Sequence, residues 1–158
     1  MSVIDIELAM KHLRADSEDQ DLVQSQLDGA EAAARAYLNR SFFVDQVAVD
    51  LAKATTVQRT QAARAVYRAA LLIADAPDNY EDRSRLRERA HETLAQAFEI
   101  IDMDEFGMVT NKAIEAACLL KLGHLYANRE EVVTGTIATE LPLTSKSLLA
   151  PYRIGMGV

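Results

Sequence analysis

The residues of this sequence that most often carry chemistry at neutral pH are three histidines and one cysteine. His91 begins the HExxH pattern of zinc proteases, but Ala95 stands where the second histidine of that pattern would bind the metal. His12 and His124 lie far apart in the sequence. Cys118 lies in an apolar run, without an identifiable base that would activate a thiol, and is predicted to be a small buried side chain. These spacings predict no catalytic residue, no metal site and no cofactor.

Motifs that bind nucleotides or present a nucleophile are also missing. The sequence contains no GxGxxG, no GxxxxGKS/T phosphate loop and no GxSxG. The carboxylates between Asp16 and Asp21 lack the alternating ligands and the turn glycine of an EF-hand loop, so a solvated helix start explains them better. The alternating arginines of residues 83–89 are interpreted as members of intrahelical ion pairs, because acids surround them. We therefore expect a protein that is not an enzyme.

Composition and charge narrow the class of protein further. The 158 residues are 49% hydrophobic and 26% charged, which suits one soluble domain over residues 1–158 with a sizeable core. The lone cysteine cannot form an internal disulfide, and no apolar run is long enough to span a bilayer, so we expect a cytoplasmic chain with no membrane partner. The formal net charge is −7, and most of the acid excess lies in residues 1–50, which disfavours general binding to nucleic acid.

The first 55 residues contain two helical patterns and one ambiguous stretch. Apolar residues at helical spacing predict a pair of helices over residues 5–40. Asp5 is the predicted cap of the first helix, and Ser17 with Gln20 forms a predicted capping box for the second. Residues 41–55 are compatible with a strand or with a helix.

Two further helical regions follow. Residues 57–102 predict a helical hairpin, interrupted by the Ala76–Asn79 turn. Residues 110–128 predict a core helix that Thr110 or Asn111 caps, and its broad apolarity indicates burial on several sides.

The C-terminal part of the sequence has a different character. Val132–Thr139 is rich in β-branched and small residues, so residues 130–153 are predicted to be an extended segment with one short helical turn that Pro151 ends. Residues 154–158 are predicted to be mobile. The predicted fold class is therefore all-α: a small helical bundle with an inserted helical hairpin and an extended C-terminal loop or β-like segment.

Four short runs near the end of the chain resemble a known family. They are Tyr126-Ala127-Asn128-Arg129-Glu130, Val133-Thr134-Gly135-Thr136, Leu141-Pro142-Leu143 and Leu148-Leu149-Ala150-Pro151-Tyr152-Arg153. Their order and spacing, within residues 124–153, resemble the C-terminal signature of the head-to-tail connector (adaptor) proteins of long-tailed double-stranded DNA phages. Residues 5–40 resemble that family's opening pair of helices. Residues 41–109 depart from the family, whose members are usually shorter there, and the role of the hairpin is left open.

The resemblance implies a structural protein of the virion. Such a protein docks beneath the portal protein as a ring of twelve subunits, extends the DNA channel and meets a tail-side head-closure protein. DNA would pass through the lumen without specific binding. The chain would be assembled in the cytoplasm of the bacterial host and would reside at the head–tail junction. No catalysis and no cofactor are implied.

The C-terminal segment is the predicted assembly surface. Its β-branched residues suit the addition of a strand to a neighbouring subunit, and its aromatic and arginine content suits docking on the portal. The candidate interface residues are Asn128, Arg129, Val133, Thr134, Gly135, Thr136, Ile137, Leu141, Pro142, Leu143, Leu148, Leu149, Pro151, Tyr152 and Arg153. Four alternatives stay open: residues 132–143 fold back on their own subunit, Tyr152 and the leucines complete the monomer's core, the chain is a helical protein–protein interaction module with no phage role, or it is an enzyme with an unrecognised site.

Overall fold

The computed structural model of the chain describes residues 2–128 and 142–155, and these are mostly helical, which confirms the all-α prediction. The helices are α1 (Ile6–Leu13), α2 (Gln20–Leu38), α3 (Gln46–Ala54), α4 (Thr56–Ala74), α5 (Tyr80–Glu105), α6 (Lys112–Ala127) and α7 (Pro142–Leu149). Two 3-10 turns, at Ser17–Asp19 and Ala150–Tyr152, and two short strands, β1 (Phe42–Phe43) and β2 (Met108–Val109), complete the described elements. Among the described helices, none combines the length and the apolarity needed to cross a lipid bilayer.

The chain divides into two compact units. Unit 1 comprises Met1–Gln46 and Met108–Val158, and unit 2 comprises Val47–Gly107. The strands β1 and β2 pair in parallel where the chain leaves unit 1 and returns to it. The amide of Met108 donates to the carbonyl of Ser41 at 3.1 Å. This bond holds the point where the chain leaves unit 1 beside the point where it returns. Unit 2 is thus an insertion in the sequence of unit 1, and a single domain over residues 1–158 stays a prediction.

The core of unit 1 lies between α2 and α6, with α1 and α7 packed against them. The buried apolar residues of this core are Ile4, Ala9, Val23, Leu27, Ala30, Ala34, Leu38, Phe42, Ile114, Ala117, Cys118, Leu119, Leu122 and Leu149. The predicted caps form: Asp5 accepts a bond from the Glu7 amide at 2.9 Å, and the Asn111 side chain accepts bonds from the Ala113 and Ile114 amides at 3.0 Å. Each cap satisfies amides that have no partner inside their helix.

Unit 2 contains α3 and the hairpin of α4 and α5, whose two helices pack along their lengths. An ion pair lies at each end of the hairpin: Arg87 contacts Asp75 at 2.6 Å beside the turn, and Arg59 contacts Asp104 at 2.6 Å at the other end. The interpretation of the 83–89 arginines as intrahelical ion pairs is therefore wrong for Arg87, because its carboxylate partner lies at the end of α4.

Two local features of unit 1 differ from the sequence prediction. The capping box of Ser17 and Gln20 does not form, because residues 17–19 make a 3-10 turn and α2 begins at Gln20 without a side-chain cap. The ambiguous stretch 41–55 contains both structures, with β1 followed by α3. From Pro142 the described chain is helical as far as Tyr152, somewhat further than the single predicted turn.

Candidate assembly surface

The predicted interface residues fall into two groups. Arg129, Val133, Thr134, Gly135, Thr136, Ile137 and Leu141 lie outside the described residues. Pro142 and Leu143 are the first positions of α7. The structure places the side chains of Asn128, Leu148, Leu149, Pro151, Tyr152 and Arg153, and all six belong to unit 1.

Asn128 caps the end of α6. Its side-chain amide donates to the carbonyl of His124 at 2.9 Å, and its backbone amide donates to the same carbonyl at 3.0 Å. Two residues earlier, the hydroxyl of Tyr126 donates to a carboxylate oxygen of Asp19 at 2.5 Å, which joins α6 to the start of α2. The chain is therefore anchored on unit 1 immediately before residue 129.

The chain is anchored on unit 1 again after residue 141. Leu149 is 5% exposed and belongs to the core of unit 1, while Leu148 and Tyr152 are half-buried against that core. Pro151 and Arg153 remain exposed. Leu149 and Tyr152 thus contribute to the core of their own subunit, as one of the open alternatives states.

The last described residues close the end of α2. Asn39 ends that helix with a left-handed φ of 54°. As at any helix end, the last carbonyls have no partners inside the helix. The amide of Ile154 donates to the carbonyl of Leu38 at 3.0 Å, and the Asn39 side chain donates to the carbonyl of Ile154 at 3.1 Å. The Arg153 guanidinium lies 5.2 Å from the centre of the Tyr37 ring. We name residues 148–154 the C-terminal latch. Mobility of residues 154–158 stays a prediction, and residues 156–158 lie outside the described residues.

A buried carboxylate fixes the other end of the chain to the same helix. Glu31, on α2, is 1% exposed and accepts bonds from the amides of Val3 and Ile4, each at 2.8 Å. Arg35, one turn later, donates to the same carboxylate at 3.0 Å, and its guanidinium lies 4.8 Å from the centre of the Phe42 ring. The carboxylate is therefore satisfied by two amides and one cation, as a buried charge requires.

The Cys118 thiol is inert as a nucleophile in this setting. Burial, and to a smaller extent the nearby Glu31 carboxylate, raise the pKa of Cys118 to about 12, although Arg35 acts in the opposite direction. The thiol therefore stays protonated at neutral pH, and only the thiolate is reactive. The prediction that Cys118 is a small buried side chain is confirmed.

The hairpin of unit 2 has a groove along one face. It is open, with a volume of about 410 Å³, and its lining is mostly apolar. The lining residues are Ala63, Val66, Tyr67, Ala70, Ile73, Leu86, Arg89, Ala90, Thr93, Leu94 and Ala97. The described residues contain no group of three or more His, Cys, Asp or Glu side chains that would hold a metal ion. The groove offers apolar contact rather than chemistry.

The chain matches no protein-family model, no curated protein and no solved structure. Its function is therefore inferred from its own residues.

Proposed function

We propose that this chain is a structural virion protein, an adaptor that forms a ring between the portal vertex of a phage head and the tail. The ring, of twelve copies, extends the DNA channel and contacts the portal on one side and a tail-side head-closure protein on the other. The chain is made in the cytoplasm of the bacterial host and ends in the virion. In this proposal the protein uses no cofactor and catalyses no reaction.

One observation carries the proposal. The two stretches that resemble the connector family, residues 5–40 and 124–153, are far apart in the sequence, and both belong to unit 1. The stretch that departs from the family, residues 41–109, contains all of unit 2. The tertiary division of the chain therefore follows the boundaries of the resemblance, although the resemblance rests on sequence runs alone.

The contacts inside unit 1 support the same proposal. The latch rests on Tyr37 and Leu38, at the end of the N-terminal helix pair, so the two similar stretches are in direct contact. The chain is anchored on unit 1 on both sides of residues 129–141, so these residues start and end on one folded base. Holding a binding segment at both ends reduces the conformational entropy that it loses on association.

The acidic net charge of the chain is consistent with DNA that passes through the ring without being bound. The chain has 17 basic and 24 acidic residues, and binding of a duplex requires cations that neutralise its phosphates. A channel wall with the same acidic balance would repel the phosphates weakly and let the DNA slide.

The test is to complement a phage or prophage that lacks this gene. In the test variant, residues 132–137 are replaced by glycine and serine at unchanged length, so that the latch and Leu149 stay in place. A truncation after Arg129 is a less specific variant, because it also removes Leu149 from the core. We expect heads and tails to accumulate unjoined, as counted by electron microscopy of the lysate, while the wild-type gene restores complete particles.

The matched control is the double variant Thr144→Ala/Lys146→Ala, which changes two exposed side chains of α7. It should join heads to tails as the wild type does. If the 132–137 replacement also restores complete particles, the assembly role of the segment is refuted. If portal-bearing heads never carry a ring of this protein, the adaptor proposal itself is refuted.

A second candidate function is a helical protein–protein interaction module with no phage role. The apolar groove of unit 2 favours it, because such grooves accept amphipathic helices. This candidate predicts a one-to-one complex with a partner helix and no ring, and electron microscopy of the concentrated protein with portal distinguishes the two.

A further inference from the structure

Helix α4 exposes an unusual amount of apolar surface. Between Ala62 and Ala74 its only polar side chains are Arg64, Tyr67 and Arg68. Nevertheless Val66, Leu72 and Ile73 are 61%, 77% and 68% exposed in the subunit. A helix that is apolar on most of its circumference is normally buried on several sides. The subunit alone covers α4 on one side, where it packs against α5.

The surplus of exposed apolar surface belongs to unit 2. Of the thirteen large hydrophobic side chains that are exposed among the described residues, ten lie between Val47 and Phe106. Fourteen of the eighteen buried hydrophobic residues lie in unit 1. Exposed apolar side chains that collect in one part of a protein mark an interaction surface rather than ordinary scatter.

The groove of the hairpin and the outer edge of α4 are two separate parts of this surface. The groove has Val66 and Ile73 on its α4 side and Leu86 on its α5 side. Thr93 adds no unpaired hydroxyl, because its oxygen donates to the carbonyl of Arg89 at 2.9 Å. The outer edge consists of Ala65, Ala69 and Leu72, which follow each other at helical spacing and are all exposed.

We propose that the groove of one copy receives the outer edge of α4 from a second copy, so that the copies associate head to tail. The groove and the edge are different surfaces, so the contact leaves each copy with one free surface for a further neighbour. Contacts of this kind close into rings when the rotation between copies allows it. The inference concerns the association of copies through unit 2, and it holds whether or not the protein joins heads to tails.

Charge complementarity selects a second copy as the occupant. Helix α4 contains three arginines and no acid, while α5 contains eight acids and four arginines, of which Arg89 lines the groove. Within the hairpin, charges of the two helices meet where Arg59 contacts Asp104. In the described structure Arg68 and Glu92 have no ion-pair partner. Arg68 on α4 can therefore pair with α5 of a neighbouring copy, and Glu92 on α5 can pair with α4 of a neighbouring copy.

The contacts between α4 and α5 give the register of such a pair. Arg59 lies beside Asp104, and the Tyr67 hydroxyl lies 3.0 Å from Nε2 of His91. An incoming α4 that runs antiparallel to the host α5 in the same register brings Arg68 level with Glu92. It brings Leu72 toward the groove near Leu86. The apolar contact and the new ion pair therefore form together.

The test compares the masses of three purified full-length chains by sedimentation equilibrium. The wild type should associate as its concentration rises to about 1 mM, which detects even weak affinities. Leu72→Glu damages only the edge, and Leu86→Glu damages only the groove, so each variant alone should remain monomeric. A mixture of the two variants should form a dimer, because one supplies an intact edge and the other an intact groove.

The control variant is Leu22→Glu, on α2 of unit 1, because Leu22 is 37% exposed, as Leu86 is. It should associate as the wild type does. A wild type that is monomeric at about 1 mM, variants that associate normally, or a mixture that stays monomeric would each overturn the proposal.

Charge exchange keeps the proposal testable if the glutamate variants do not fold. Arg68→Glu and Glu92→Arg should each weaken association, and the double variant should restore it, because the ion pair then forms with reversed sign. A double variant that associates no more strongly than either single variant contradicts the proposed register. None of these variants alters residues 132–137, so failure here is distinguishable from failure of the complementation test.

Discussion

Replacement of Glu31 by alanine should destabilise unit 1 by about 3 kcal/mol. The Glu31 carboxylate accepts bonds from the amides of Val3 and Ile4 and from the guanidinium of Arg35. Breaking a buried ion pair by removing one partner costs about 3–5 kcal/mol, because the other charge loses its compensation. The Arg35 side chain is 29% exposed and regains water, so the lower end of that range applies. The variant Glu31→Gln keeps an acceptor at this position but loses the charge, and a loss of about 2 kcal/mol is expected.

Two measurements test this prediction. The free energy of unfolding is obtained from denaturant titrations followed by circular dichroism, since the chain has no tryptophan to serve as a fluorescent probe. Hydrogen exchange measured by NMR reports on the Val3 and Ile4 amides themselves. Protection of both amides should fall in the Glu31→Ala variant, because their acceptor is gone.

The matched control is Asp28→Asn, three residues earlier on α2. Asp28 is exposed and accepts a bond from the Ser2 hydroxyl at 2.7 Å, so its loss should cost no more than about 0.5 kcal/mol. If Glu31→Ala costs as little as Asp28→Asn, or if the Val3 and Ile4 amides stay protected, Glu31 does not anchor the N-terminus and the reasoning is refuted.

Three further predictions concern the rest of unit 1. Leu149→Ala should lower the free energy of unfolding by about 2–4 kcal/mol, while Lys146→Ala on the exposed side of α7 should change it by less than about 0.5 kcal/mol; equal losses in denaturant titrations would show that the latch is not part of the core. Above pH 9 the thiol of Cys118 ionises in the unfolded chain, while in the folded protein its pKa is raised to about 12 and it stays protonated. The free energy of unfolding should therefore fall by about 1.4 kcal/mol per pH unit more than in Cys118→Ala. Parallel pH profiles of the two proteins would contradict this. Asn111→Ala should cost about 1 kcal/mol and Asn111→Asp much less, because only the aspartate keeps an acceptor for the α6 amides; equal thermal midpoints for the two variants would exclude the cap.

Local signals explain why most helices were predictable. The caps of Asp5 and Asn111 and the breaking effect of Pro77 act on neighbouring residues, so the sequence pattern is enough to locate them. The hairpin was predicted over residues 57–102 for the same reason, and its helices cover Thr56–Ala74 and Tyr80–Glu105.

Features that depend on distant residues were not predictable in this way. The strand at Phe42 pairs with residues more than 60 positions later, and two-residue strands leave no alternating pattern. The predicted box of Ser17 and Gln20 failed because a 3-10 turn occupies residues 17–19 and already uses the Ser17 carbonyl as an acceptor for the Gln20 amide. Arg87 found its partner across the hairpin turn instead of on its own helix, since Asp75 lies close only after the two helices pack.

The anchoring residues of unit 1 left only one signal in the sequence. Glu31 occupies a position of the buried stripe of α2, between Leu27 and Ala34, where an apolar residue is expected. A single charge in such a stripe indicates a buried partner, although it does not identify that partner as the amides of Val3 and Ile4. The bond from Ile154 to Leu38 joins the last residue of α2 to a residue beyond the second 3-10 turn, and no local sequence pattern links the two.

The uneven distribution of apolar surface gives a physical reason to expect that unit 2 is less stable than unit 1 in an isolated subunit. The hairpin buries Thr56, Ala74, Ala90 and Ile101, and two of these are alanines that contribute little transfer free energy. Association covers more of α4 and stabilises only the folded hairpin, so the thermal midpoint of unit 2 should rise with protein concentration while that of unit 1 stays constant. Leu72→Glu should abolish that dependence without lowering the midpoint of unit 1, because Leu72 is 77% exposed in the subunit. Hydrogen exchange measures the stability of the two units separately. If the stability of the hairpin does not change with protein concentration, its exposed apolar face is not an interface between copies.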